Sequence, residues 1–234
     1  MTAMRLPLIL LVALLGLAGC ARYQPVPLYQ LDSGDAKVPS AQDGLAVLLG
    51  PVSIADYLQR EALLQRQADG SLIASRDARW AGSLAADIDQ QLLLQLSSQL
   101  NSQRLALAPA APGFAPQIQI LMSIARLDSG PERPAVLEAQ WRLMNKNGQL
   151  LDGKLVRLEQ AHGGSIADQV HAQSNLMRQL VEQVAVAVKE QDGELPAIAE
   201  QAPKKAPAAT PKKEETPKIP MAQPVRIDSE VFRF

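Results

Sequence analysis

Alternation between apolar and polar residues in two neighbouring segments constrains the fold of this chain most. Every second residue is apolar in 117–124, and 136–143 repeats the pattern around Trp141. A period of two places successive side chains on opposite faces of a strand, so each segment predicts a strand with one buried and one wet face. Turn residues follow at 145–148, and 149–160 returns as a third strand. The sequence therefore predicts a three-stranded antiparallel meander, with these residues facing the core: Ile118, Ile120, Met122, Ile124, Leu137, Ala139, Trp141 and Leu143.

Two other segments carry apolar residues at helical spacing. Residues 83–100 have Leu or Ile at every fourth position, which is typical of an amphipathic helix, and Ser83 is suited to cap it. Residues 165–190 form a second apolar stripe after a Gly-Gly-Ser sequence. We predict an α+β fold, with a mostly antiparallel sheet and two long amphipathic helices packed on one face.

Three shorter segments predict the rest of the sheet. The apolar run 45–49 is bounded by glycines and suits a strand that is covered on both faces near the centre of the sheet. Residues 61–66 and 71–75 flank an Ala-Asp-Gly turn and predict a hairpin. Residues 28–31 are expected to form a short edge strand.

The only cysteine, Cys20, ends a segment with the layout of a secretory signal peptide. Arg5 precedes an apolar run of about a dozen residues, fewer than the ~20 that span a bilayer as a helix. Leu-Ala-Gly-Cys at its end resembles a bacterial lipobox, which implies cleavage between Gly19 and Cys20 and a diacylglycerol and an N-acyl lipid on Cys20. A single cysteine also excludes an internal disulfide framework.

The residues after Cys20 bear on the destination of the protein. Ala21 and Arg22 follow it, and the Asp that retains lipoproteins of enteric bacteria at the inner membrane is absent. The resemblance to lipoproteins therefore implies the inner leaflet of the outer membrane, facing the periplasm. The predicted organisation is a signal peptide over 1–19, a lipidated tether over 20–43, an α+β domain over 44–190 and a tail over 191–234.

The tail is rich in Pro, Ala, Lys and Glu and buries too little apolar area to offset its ordering entropy, so it predicts disorder. Its last ten residues, 225–234, alternate partly and hold two of the three phenylalanines. Two interpretations remain: a solvated terminus, or a tethered motif that adds to a sheet edge or docks on a partner.

The sequence offers little for catalysis. With 23 Lys and Arg against 24 Asp and Glu, no basic field for nucleic acid exists. His162 and His171, with Asp168 nearby, match no compact zinc motif. No G-x-S-x-G or H-E-x-x-H motif occurs either. We therefore expect neither an enzyme nor a metal site, and no cofactor besides the covalent lipid.

Two segments carry a family resemblance. Residues 50–60, Gly-Pro-Val-Ser-Ile-Ala-Asp-Tyr-Leu-Gln-Arg, and 76–84, which contain Arg-Trp-Ala and open the first helix, resemble the PqiC (YmbA) family of ABC-type transport auxiliary lipoproteins. The strand around Trp141 and the last helix are also similar.

The resemblance implies an outer-membrane lipoprotein that docks the periplasm-spanning, MCE-domain component of an intermembrane lipid transport system, with a homo-oligomeric ring as one arrangement. By analogy, Tyr57, Arg76 and Trp80 are candidate interface residues, although Trp80 also suits simple packing at the start of a helix. Two other functions stay open: an assembly or plug lipoprotein for another outer-membrane machine, and a periplasmic lipid-binding carrier.

Overall fold

The computed structural model describes residues 25–194. The predicted signal peptide, the lipidation site at Gly19 and Cys20, and the tail from residue 195 onward lie outside the described residues.

Within this range the chain forms one sheet of eight strands, two α-helices and a short 3-10 helix at Asp56–Gln59. The strands are β1 (Leu28–Tyr29), β2 (Val47–Ile54), β3 (Ala62–Arg66), β4 (Leu72–Trp80), β5 (Leu105–Leu107), β6 (Ile118–Gly130), β7 (Arg133–Asn145) and β8 (Leu150–Gln160). The helices are α1 (Leu84–Leu100) and α2 (Ile166–Glu194).

The long strand β6 is the centre of the sheet. One edge of β6 pairs with β7 along most of its length, while the other edge pairs in parallel with β2 and, at Ser129, with β3. The prediction that 45–49 lies at the centre was therefore only partly right, because β2 is an interior strand between β5 and β6. The ladders β3–β4, β6–β7 and β7–β8 are antiparallel and hold most of the paired residues.

The meander and the hairpin are confirmed. Strands β6, β7 and β8 follow one another as antiparallel neighbours, and β3 and β4 flank the predicted turn. All eight side chains predicted to face the core are at most 3 % exposed. The predicted edge strand at 28–31 is confirmed over two residues as β1, which pairs with β4.

The two helices are confirmed as well, and they contact each other over a shared apolar core. The Ser83 Oγ accepts a hydrogen bond from the Ala86 N–H at 3.3 Å and caps α1, while Asn101 ends that helix in the left-handed conformation. Neither helix in the described range is long and apolar enough to cross a membrane.

Residues 25–43, here named the N-terminal strap, form part of the predicted tether and dock against the helices. The Leu31 N–H donates to Asp87 Oδ2 at 2.8 Å, and the Asp32 N–H donates to Ser174 Oγ at 3.0 Å. The Leu31 side chain is buried in the core. Side chains on the two helices thus hold the backbone of the strap, and such contacts leave no pattern in the strap's own sequence.

Gly130 marks the closest approach of two strands. A Cβ at this position would lie 1.8 Å from the Arg66 carbonyl oxygen of β3. Only a residue without a side chain lets β6 and β3 meet here.

Candidate functional site

The face of the sheet opposite the helices is open. Along β6, β7 and β8, the residues between the core positions point away from α1 and α2, and their register brings them side by side. Leu155 is the most exposed of the large apolar residues among them, at 78 %. We name as the open face the exposed residues Ser123, Gln140, Arg142, Leu155 and Arg157.

A buried carboxylate lies at one end of this face. Asp128 is 1 % exposed and accepts hydrogen bonds from Arg66 Nε at 2.9 Å and Arg126 Nε at 3.0 Å. The guanidinium groups also form ion pairs with it at 2.5 Å from Arg66 Nη2 and 2.9 Å from Arg126 Nη2. Burial alone raises the pKa of Asp128, but the hydrogen bonds and charges of the two arginines outweigh burial and hold that pKa below its ordinary value.

The charges continue across the meander with alternating sign. Arg126 lies 3.8 Å from Glu138 on β7, and Glu138 pairs with Arg157 on β8. Arg157 in turn lies 3.6 Å from Glu159. Together with Arg66, the row from Asp128 to Glu159 contains three guanidinium groups and three carboxylates, and it meets the open face at Arg157.

Tyr57 completes the surroundings of Asp128. Its hydroxyl donates to Asp128 Oδ2 at 3.0 Å and accepts from the Leu127 N–H at 3.2 Å. Burial, with the nearby Asp128 charge second, raises the pKa of Tyr57 to about 12. The tyrosine therefore links the 3-10 helix to β6 through two hydrogen bonds.

The three predicted interface residues lie in different surroundings from one another. Tyr57 and Trp80 line one small cavity of 10 Å³ together with Gln173, and Trp80 is only 8 % exposed. Packing inside the chain therefore accounts for most of the Trp80 surface. Arg76 lies apart from them, exposed on β4.

A second buried polar cluster ties α2 to the sheet. Gln173 Nε2 donates to Ser129 Oγ at 2.8 Å, and Ser129 Oγ donates to Gln169 Oε1 at 3.3 Å. Gln65 Nε2 on β3 donates to the same Gln169 oxygen at 3.1 Å. This network fixes the position of the helix against β3 and β6.

A groove of about 560 Å³ lies between β8 and the C-terminal half of α2. We call it the β8 groove. Its lining includes the buried indole of Trp141, the side-chain-free Gly153 and the charged residues Asp152, Lys154, Glu182 and Glu190.

The histidines have local roles or lie at the surface. His162 Nδ1 accepts from the Gly164 N–H at 3.0 Å, and His171 is exposed on α2. Asp168 accepts from Ser165 Oγ at 2.6 Å, as part of the cap of α2. Within residues 25–194, no three His, Cys, Asp or Glu side chains are grouped so as to hold a metal ion.

Sequence reasoning missed the Asp128 cluster. A signal was present, since Arg-Leu-Asp at 126–128 continues directly from the alternating strand and places charges at 126 and 128, on the even-numbered positions that are apolar from 118 to 124. Its partner Arg66 lies on a strand that pairs with β6 only after a long connection, so the sequence offered no way to join the two.

Comparison with solved structures places the fold. A crystal structure of a Xanthomonas campestris protein, of the family DUF330, is 12 % identical with a TM-score of 0.57, and the match covers 73 % of this chain and all of that one. A crystal structure of an uncharacterized protein is 19 % identical with a TM-score of 0.51, covering 70 % and 97 %. The PelC dodecamer of Paraburkholderia phytofirmans is 13 % identical, with a TM-score of 0.39 over 65 % of this chain and 95 % of that one.

Comparison by sequence places the chain in a family. No curated protein matches it. Residues 29–185 match the family described as "ABC-type transport auxiliary lipoprotein component". This range holds the first helix, most of the second helix's apolar stripe, the Asp128 cluster and residues 50–60 and 76–84, which carry the resemblance to PqiC. The chain therefore belongs to the family of ABC-type transport auxiliary lipoproteins.

Proposed function

We propose that this protein is the outer-membrane docking subunit of an ABC-linked, MCE-type system that moves lipid between the two membranes. Its lipidated Cys20 holds the domain at the inner leaflet of the outer membrane, and the domain binds the periplasm-spanning MCE component. The family supplies the coarser role of a transport auxiliary lipoprotein. The open face is the observation that carries the finer one.

The open face has the character of a protein-binding surface. Helices bury one side of the sheet, whereas the other side presents Leu155, Gln140 and Arg142 to the surroundings. A face of polar and charged side chains around one exposed leucine resembles the polar interfaces of separately folded partners more than a catalytic cleft. A lipid anchor of two or three acyl chains holds such a domain at one membrane almost permanently, so the domain is free to bind a partner.

Photocrosslinking in cells tests this function. A benzophenone amino acid replaces Gln140 on the open face or, as the matched control, Gln90, which is exposed on α1. We expect crosslinks to an MCE-domain protein from position 140 and none from position 90. Crosslinks to an outer-membrane β-barrel instead would favour the assembly or plug function, and a stoichiometric lipid released from the purified protein would favour the carrier. Either result would overturn the proposal.

A further inference from the structure

The edges of the sheet are unequally protected. Short edge strands are a common protection against unwanted pairing: β5 has three residues and β1 two, although β1 covers only Arg79 and Trp80 of the nine-residue β4. Strand β8 has eleven residues, contains no proline and pairs only with β7 among the described residues. Its free edge therefore offers a long row of backbone donors and acceptors.

The β8 groove lies beside residues 152–154 of this strand, and carboxylates outnumber ammonium groups in its lining. Asp152, Glu182 and Glu190 place three carboxylates in its lining, against the single ammonium group of Lys154. Lys154 reaches only Gln183 across the groove, at 3.5 Å. The excess of carboxylates favours a basic occupant.

A second observation at the groove is a buried hydrogen-bond donor without a partner among the described residues. Trp141 is 2 % exposed and lines the groove, yet its Nε1–H has no acceptor among residues 25–194. Buried donors are nearly always paired in folded proteins. An acceptor for this indole N–H must come from outside residues 25–194.

We infer that the β8 edge and its groove bind an extended segment of a partner protein in which basic and apolar residues alternate. The segment pairs with the backbone of β8 as a ninth strand. Its basic side chains enter the groove toward Glu182 and Glu190, while its apolar side chains lie on the other face beside Leu155. Main-chain hydrogen bonds give such an addition its affinity, and alternate side chains give it specificity.

A peptide-binding experiment on the lipidated mature chain in detergent tests the inference. The probe is an eight-residue peptide of alternating valine and lysine, and its control replaces every lysine by glutamate. Hydrogen exchange of the β8 amides is the readout. We expect saturable protection of residues 150–160 by the lysine peptide and none by the glutamate peptide.

Charge reversal on α2 locates the groove. The double variant Glu182→Lys, Glu190→Lys is expected to weaken binding about tenfold, because two attractions become repulsions. The matched variant Asp77→Lys, Glu132→Lys makes the same change in charge at exposed positions elsewhere and is expected to leave binding unchanged. The comparison of the two peptides on the unmodified chain remains decisive even if a variant folds poorly.

Several outcomes would overturn the inference. They are equal binding of both peptides, protection of β4 in place of β8, and equal weakening by both variants. Protection of β8 that grows with protein concentration alone would assign the edge to a second copy of this chain. Protection by vesicles of phosphatidylethanolamine and phosphatidylglycerol would assign it to lipid. None of these results bears on crosslinking from Gln140, so the proposed function is tested separately.

Discussion

Replacing Asp128 by asparagine probes the buried charge cluster directly. The substitution keeps the shape of the side chain, removes its negative charge and turns an amide N–H₂ toward the guanidinium groups of Arg66 and Arg126. Removing one partner of a buried ion pair costs about 3–5 kcal/mol. Both arginine side chains are 22 % exposed, so water partly solvates the guanidinium groups that lose the carboxylate. We therefore expect a loss near the lower end, about 3 kcal/mol of the free energy of unfolding.

Urea denaturation followed by circular dichroism measures this loss. The mature chain carries Cys20→Ala in every sample, so that no lipid is attached. With a urea dependence of about 1–3 kcal/mol per molar, the midpoint is expected to fall by about 1–3 M. The control is Glu159→Gln, which removes an exposed ion pair and is expected to change stability by no more than about 0.5 kcal/mol. A loss below about 1 kcal/mol for Asp128→Asn would refute the assignment of Asp128 as the centre of the cluster.

The pH dependence of stability, compared between the wild-type chain and Asp128→Asn, adds a second measurement. Because the folded chain holds the pKa of Asp128 below its ordinary value, its stabilisation is complete above that value, about 3.9, and is lost as pH falls through the folded-state pKa. The free energies of unfolding of the wild-type chain and of Asp128→Asn should therefore differ by a constant amount near neutral pH and converge in acid. A gap that stays constant down to low pH would contradict the charge-based explanation.

Three other predictions concern separate parts of the chain. Cys20→Ala is expected to move the protein from the membrane fraction to the soluble fraction, and protein that stays with the membranes would argue against the lipid anchor. Gly130→Ala is expected to cost about 2–3 kcal/mol in thermal denaturation, because the new Cβ meets the Arg66 carbonyl, whereas Gly82→Ala has open space and serves as the control. The raised pKa of Tyr57 means that its stabilisation is complete below about pH 10 and is lost as pH rises toward 12, so alkaline denaturation should affect the wild-type chain more steeply than Tyr57→Phe. Parallel alkaline profiles would contradict that role for the hydroxyl.

Elements whose side chains follow a strict period were predicted well from sequence. The meander and both helices have one face in the core, so their apolar residues recur at two or at nearly four positions. The end of β6 shows where this fails. A register shift between Ile124 and Arg126 changes which face each residue occupies, so that Leu127 rather than Arg126 points inward and the strand continues to Gly130. The alternation breaks at that point although the strand does not.

The candidate site depends on pairings that sequence patterns do not encode. Arg66 reaches Asp128 because β3 lies beside the end of β6, and this parallel pairing joins segments 62 residues apart. The docking of the strap is hidden from sequence patterns for a related reason, because Asp87 and Ser174 bind its backbone rather than its side chains. Local composition describes neither contact.

The docked strap limits how far the domain extends from the bilayer. With the lipid on Cys20, only five residues precede Pro25, where the described chain begins. An extended chain spans at most about 3.5 Å per residue, so residues 20–24 reach about 17 Å. A segment free as far as residue 43 would reach about 80 Å. In the proposed function, the periplasm-spanning component must therefore extend almost to the outer membrane to meet this protein, because the domain cannot travel far from its lipid anchor.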